Sequence, residues 1–205
     1  SWNTTGLSFN LTSSYRGNRI LIHPNNSNIL LVSTRKSGYG ETYRSTDGGN
    51  NWDMVLEGPN LISMEFNASN PNIVYGVTTG NSKYWRSNDN GQNWSNVTSE
   101  AGLPSSGNNR GIVAVTDANP DVVYILYSAN DNGFGGLYKS TDGGYIFNLQ
   151  TDSPNLMGYQ ANGGDEGGQG WYDIALTVSP NDENEVYVGG INIWKSTNGG
   201  LDFGT

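Results

Sequence analysis

Short hydrophobic runs alternate with polar, turn-forming stretches along most of this chain, and the alternation repeats. Ile20-Leu21-Ile22 is followed by His23-Pro24-Asn25-Asn26-Ser27-Asn28 and then by Ile29-Leu30-Leu31. Met64-Glu65-Phe66 leads through a polar stretch from Asn67 to Asn72 into Ile73-Val74-Tyr75. Val113-Ala114-Val115 leads in the same way to Val122-Val123-Tyr124, and Leu176-Thr177-Val178 to Glu185-Val186-Tyr187. Runs this short, rich in β-branched and aromatic residues and split by Asn, Asp and Pro, predict pairs of antiparallel strands joined by tight turns.

A stricter repeat follows each pair: an aromatic, then Arg or Lys, then Ser-x-Asp-x-Gly-x-x-aromatic. Its copies place Ser45, Asp47, Gly49 and Trp52 in register with Ser87, Asp89, Gly91 and Trp94, with Ser140, Asp142, Gly144 and Phe147, and with Ser196, Asn198, Gly200 and Phe203. The spacing predicts a hairpin turn in which the carboxylate accepts backbone N–H groups and the glycine takes a positive φ. The closing aromatic is expected to fold back as an apolar plug. Asn198 keeps a turn-forming side chain but loses the charge. The boxes are therefore expected to be structural.

With one strand before the box and one after it, each unit has four strands, and the repeat period is about 50 residues. Four-stranded antiparallel units at that period predict a β-propeller. The approximate units are 3–52, 53–94, 95–147 and 148–203. The chain resembles the Asp-box (BNR) propellers, a group that includes sialidases, xyloglucan-active glycoside hydrolases, sortilin-type receptor domains and photosystem assembly factors. The stretch Gly168-Gln169-Gly170-Trp171-Tyr172-Asp173 is similar to sortilin-like secreted bacterial proteins of the type 9 secretion kind. The resemblance implies an all-β propeller, secretion or cell-surface display, and either a binding role or glycoside hydrolysis. The repeat phase at the two ends is expected to mean an arc of a larger propeller. The alternative is a closed ring of four, with Trp2 to Phe9 completing the last blade.

Composition narrows the partners. A net charge of −9 and the lack of a basic patch argue against nucleic acid. Cysteine is absent, so disulfides play no part, and no apolar stretch is long enough to span a membrane. The single histidine, His23, excludes a multi-histidine zinc site and is expected to cap a turn.

Candidate chemistry lies in the loops leading to the innermost strands. The longest runs from Asp152 to Gly170 and is rich in Gly. Tyr159, Trp171 and Tyr172 are candidates to stack on a sugar or a peptide. Asp165, Glu166 and Asp173 are candidates for hydroxyl groups or a Ca²⁺ ion, with no other cofactor expected. The bland alternative is a mobile surface loop whose aromatics pack the propeller neck. Arg110 and Asp173 occupy equivalent places in neighbouring repeats, which predicts an ion pair or a polar channel lining. Arg16 and Arg19 lie near the same place in the first repeat. The expected role is a non-catalytic module that binds a glycan or peptide. The alternatives are a glycoside hydrolase whose carboxylates lie outside this segment, and a sortilin-like peptide receptor.

Overall fold

The structure, a computed structural model, describes residues 4–8 and 15–204. The first blade has strands β1 (Arg16–Ile22), β2 (Leu30–Lys36), β3 (Tyr39–Ser45) and β4 (Asp53–Gly58). The second has β5 (Leu61–Phe66), β6 (Val74–Thr78), β7 (Tyr84–Ser87) and β8 (Ser95–Asn96). The third has β9 (Asn108–Val115), β10 (Val123–Ala129), β11 (Phe134–Ser140) and β12 (Asn148–Thr151). The fourth has β13 (Ala175–Val178), β14 (Val186–Gly189) and β15 (Ile193–Ser196), and a bridge between Lys195 and Gly204 stands where a fourth strand would lie. Each blade is an antiparallel meander in chain order. The innermost strands pack in series, β1 on β5, β5 on β9, and β9 on β13. This is the propeller arrangement expected from the repeats.

The boxes join the third and fourth strands and hold their turns in nearly identical ways. Ser45 Oγ accepts the Gly49 N–H at 2.9 Å and donates to Asp47 Oδ1 at 2.9 Å. Asp47 also accepts the Asn51 backbone N–H at 2.9 Å and the Asn51 side-chain amide at 2.7 Å. The hydrogen bonds from Asn51, with Ser45 adding to them, lower the Asp47 pKa to about 2. Asp89 and Asp142 are lowered as well; burial alone would raise both, but the donors around each carboxylate outweigh it. In the fourth box the pair is reversed. Asn198 Oδ1 accepts the Ser196 hydroxyl and the Asp202 N–H, while Asn198 Nδ2 donates to Asp202 Oδ2 at 2.8 Å. The missing charge is thus supplied from four residues further on. Trp52 and Trp94 fold back across their own boxes, each donating its indole N–H to the box glycine carbonyl at 2.9 Å.

The box also serves as the joint between blades. A Cβ on Gly91, whose φ is +78°, would lie 2.6 Å from the Leu31 side chain of the preceding blade. The equivalent Gly144 abuts Tyr75 and Tyr84, and Gly200 abuts Leu137. Polar contacts cross the same seams. Tyr75 and Tyr84 donate to the carbonyls of Gly143 and Gly144 at 3.1 and 2.9 Å, and Tyr124 donates to Glu183 O at 2.8 Å. His23 caps its turn as expected, its Nδ1 accepting the Asn25 N–H at 3.1 Å. That leaves Nε2 as the donor to Asn90 Oδ1 of the next box, 3.0 Å away.

The four blades form an open arc. Leu137 and Tyr84, three residues before their box serines, are fully buried by the next blade, whereas Ile193 at the same place is 83% exposed. At the other end Ile20 and Ile22 are 64% and 60% exposed, while Met64 and Phe66 at the same places are buried. In place of a preceding blade, Gly6 donates to Gly49 O at 3.0 Å. Trp2 and Phe9, the limits of the strand envisaged for a closed ring, lie outside the described residues.

Three outcomes are expected from this account. Gly91→Ala should cost about 3 kcal/mol, from positive φ plus overpacking, against about 1–2 kcal/mol for Gly48→Ala, where the added Cβ meets only Asn28 Oδ1 at 3.6 Å; urea denaturation would rank them. Asp89→Asn should cost about 1 kcal/mol, and adding Asn93→Asp should recover most of it by rebuilding the reversed pair of the fourth box. Because the box carboxylates have folded pKa values below the unfolded value of about 4, their contribution is complete above that pH. It is lost as pH falls, in the case of Asp47 through about 2, so melting temperatures should decline below about pH 4.

Candidate ligand-binding face at the channel mouth

Among the described residues, the loops that lead into β5, β9 and β13 emerge on one face. Between β4 and β5 the link is short, through Pro59 and Asn60, whereas residues 152–174 form a long excursion between β12 and β13. That excursion is pinned at several points. Leu156 and Met157 are fully buried in the core between the third and fourth blades, and Trp194 Nε1 donates to Leu156 O at 3.1 Å. Asn155 acts as a hub: its Oδ1 accepts the N–H groups of Phe134 and Met157, and its Nδ2 donates to the carbonyls of Asp165 and Gly167. Packing of the neck therefore falls to Leu156 and Met157 and leaves the loop's aromatics available.

Four of the seven candidate residues are brought together. Tyr159, Trp171 and Tyr172 line a hollow of about 530 Å³ with Asn132, Gly168 and Gln169. Tyr159 is 58% and Tyr172 75% exposed, which is unusual for rings of this size. Trp171 and Tyr172 also form one wall of a second hollow, of about 220 Å³, whose other walls include Arg16, Arg35, Ile62, Thr79 and Arg110. All four blades thus contribute to this second hollow.

The other three candidates are placed differently. Asp165 turns inward: its Oδ2 accepts the backbone N–H groups of Tyr159 and Gln160, at 2.6 and 3.3 Å, so it orders the loop and does not present a carboxylate to solvent. Its other oxygen is buried without a partner. Glu166 and Asp173 are exposed and line neither hollow. Among the described residues no three acidic, histidine or cysteine side chains converge.

The expected ion pair between Arg110 and Asp173 is replaced by backbone contacts. Arg110 donates through NH1 to Trp171 O at 2.5 Å and more weakly to Tyr172 O at 3.5 Å. The long loop brings its own carbonyls over the guanidinium, and these compete successfully with a solvated carboxylate. Burial lowers the Arg110 pKa, but a guanidinium remains charged. Arg19 is turned away from the hollow by the irregularity between Gly17 and Arg19 in β1, and it pairs with Glu65 of the next blade. Arg35 escaped the repeat analysis because it lies at the end of a second strand; its position opposite Arg16 in the β1–β2 hairpin was the available signal.

By sequence, no family model matches the chain, and no characterised protein matches it. Solved structures do. An ancestral GH74 enzyme aligns over 96% of this chain and 24% of its own, with a TM-score of 0.64 and 20% identity. A Hadza microbial sialidase aligns over 92% of this chain and 45% of its own, with a TM-score of 0.57 and 13% identity. YCF48 from Cyanidioschyzon merolae aligns over 93% of this chain and 58% of its own, with a TM-score of 0.53 and 12% identity. The chain thus spans between a quarter and three-fifths of these neighbours. At such identities the likeness establishes fold alone: a β-propeller, present here as a four-blade arc.

If Asn155 is the loop's hub, Asn155→Ala should destabilise the protein by about 2 kcal/mol and expose the loop to chymotrypsin after Tyr159. Cleavage no faster than in the unsubstituted protein would mean that the buried Leu156 and Met157 are sufficient to hold it.

Proposed function

We propose that this chain is a non-catalytic carbohydrate-binding propeller module of a larger secreted or cell-surface protein, with sugar rings stacking on Tyr159, Trp171 and Tyr172. The observation that carries this reading is the exposed aromatic shelf, held on a pinned loop and lining a hollow of about 530 Å³. Aromatic rings fixed beside polar groups suit the apolar faces of sugars, and a pinned loop spares the entropy of ordering them on binding.

The non-catalytic part of the proposal follows from what lines the hollows. Glycoside hydrolysis ordinarily needs two carboxyl groups about 5–5.5 or 6.5–9.5 Å apart, and neither hollow has an Asp or Glu in its wall. The fold is shared with proteins named as a GH74 enzyme and a sialidase. Hydrolysis by the parent protein is the second reading, with carboxylates supplied from elsewhere. A sortilin-like peptide receptor would use the same face but would not need flat rings in a row.

Binding to a panel of immobilised glycans tests the proposal. Tyr172→Ala and Trp171→Ala should each weaken the preferred glycan at least tenfold, with Tyr172→Ala leaving the melting temperature unchanged because that ring is exposed. Undiminished binding in both variants, or capture of no glycan by the unsubstituted protein, would overturn the reading. Glycan cleavage by the chain alone would establish the enzyme instead.

A further inference from the structure

We infer that the two open faces of the arc fit each other, so that the first blade of a second copy of this chain docks head to tail on the fourth blade of the first. The seams inside the chain show what one blade reads on the next. Between the third and fourth blades, Tyr124 and Lys139 are register partners, and Lys139 Nζ stands 5.4 Å from the centre of the Tyr124 ring. Together they reach the turn between the first two strands of the following blade. Tyr124 donates to Glu183 O at 2.8 Å, and Lys139 donates to Asn184 Oδ1 at 3.0 Å. Leu137 fills the space beside Gly200.

The fourth blade repeats this device with no blade of the described residues docked on it. Tyr187 and Lys195 are register partners, and Lys195 Nζ stands 5.3 Å from the centre of the Tyr187 ring. Ile193 takes the place of Leu137, but its side chain is exposed. Without the oxygens of a following turn, Tyr187 and Lys195 both bond to the Glu185 carboxylate of their own blade, the lysine at 2.8 Å. An ion pair open to water holds its partners weakly, so a docked turn can take them over.

The first blade supplies what that face lacks. Its turn between β1 and β2 is held like that of the fourth blade: Asn28 O accepts the Gly48 N–H at 3.0 Å, as Asn184 O accepts the Gly199 N–H at 2.9 Å. Each asparagine also sets its Oδ1 beside the first glycine of its box, 3.6 Å from a Cβ added at Gly48 and 3.0 Å from one added at Gly199. Ser27 precedes Asn28 as Glu183 precedes Asn184. A neutral carbonyl and a neutral amide oxygen therefore stand ready for the tyrosine hydroxyl and the lysine ammonium. Beneath this turn, Ile20 and Ile22 align with Leu176 and Val178, which pack in the core between the third and fourth blades. In the first blade both isoleucines are exposed. Residues 4–8 meet the first box at Gly49 through Gly6 and leave Ile20 and Ile22 uncovered. Contiguous exposed apolar surface marks an interaction site, and here each open face has at the other end of the chain the partner that the internal seams use. A contact between two different faces closes into a ring when its rotation allows, and otherwise extends as an open chain of copies.

Sedimentation velocity of the unsubstituted chain over a range of concentrations tests this, together with Ile193→Asp and Ile20→Asp. Both side chains are exposed, so each variant should fold as judged by circular dichroism. The unsubstituted chain should assemble, and each variant alone should associate at least tenfold more weakly. Mixed in equal amounts, the two variants should recover an equimolar complex, because one keeps the first-blade face and the other the fourth-blade face. Monomers at every concentration would overturn the inference and assign the two faces to neighbouring repeats of a longer chain. Assembly that survives both substitutions would place the contact elsewhere and overturn it as well. Variants that fail to pair with each other would do the same, since that outcome marks a contact between like faces.

Discussion

The structure depends on the close approach of each box glycine to the blade before it. Gly91, Gly144 and Gly200 hold positive φ values inside turns fixed by Ser–Asp or Ser–Asn hydrogen bonds, and each presses a bare backbone against a large side chain. Leu31, Tyr75, Tyr84 and Leu137 are fully buried as a result. Burying side chains of this kind is worth about 1.5–3 kcal/mol each, so the turn inside a blade and the adhesion between blades form one construction. The polar seam contacts from His23, Tyr75, Tyr84 and Tyr124 reach the same turns, or the loop beside them, and fix the register of one blade on the next.

A scaffold built in this way leaves the opposite ends of the blades unconstrained. Loop length can vary there without disturbing the seams, and the long excursion before the fourth blade uses that freedom. It folds as an ordered unit because Leu156 and Met157 reach back into the core and Asn155 and Asp165 satisfy its internal amides. On its surface Tyr159 and Tyr172 stand among polar residues, and the arginines Arg16, Arg35 and Arg110 border it from the first and third blades. The two hollows at the channel mouth are thus lined by aromatic, neutral polar and arginine side chains.

Much of the fold could be read from the residues, because both strand pairing and box turns are local. The period of the hydrophobic runs gave the meanders, the polar stretches between paired runs gave the first turns with the cap at His23, and Ser-x-Asp-x-Gly gave the hairpins between third and fourth strands. The site was legible only in part. Tyr159, Trp171 and Tyr172 could be marked from loop length and composition and Arg110 from repeat alignment, but Asp165 looked the same in sequence as a ligand-facing carboxylate. Only the path of the loop shows that two backbone amides occupy it. Similarly, repeat alignment placed Arg110 level with Asp173, yet alignment cannot show that carbonyls of the long loop would reach the guanidinium first.

By itself, then, the sequence determined the four blades, their turns and the residues that lock them, since those depend on interactions spanning a few positions along the chain. Tertiary structure decided which groups share a space. Arg16, Arg35, Arg110 and Trp171 come from three blades and are separated by up to 155 positions, and only the stacking of the inner strands β1, β5, β9 and β13 brings them around one hollow. The same holds for the open faces of the arc: Ile20 and Ile193 have the spacing of buried seam residues, and their exposure follows from the lack of a packed neighbour in the structure.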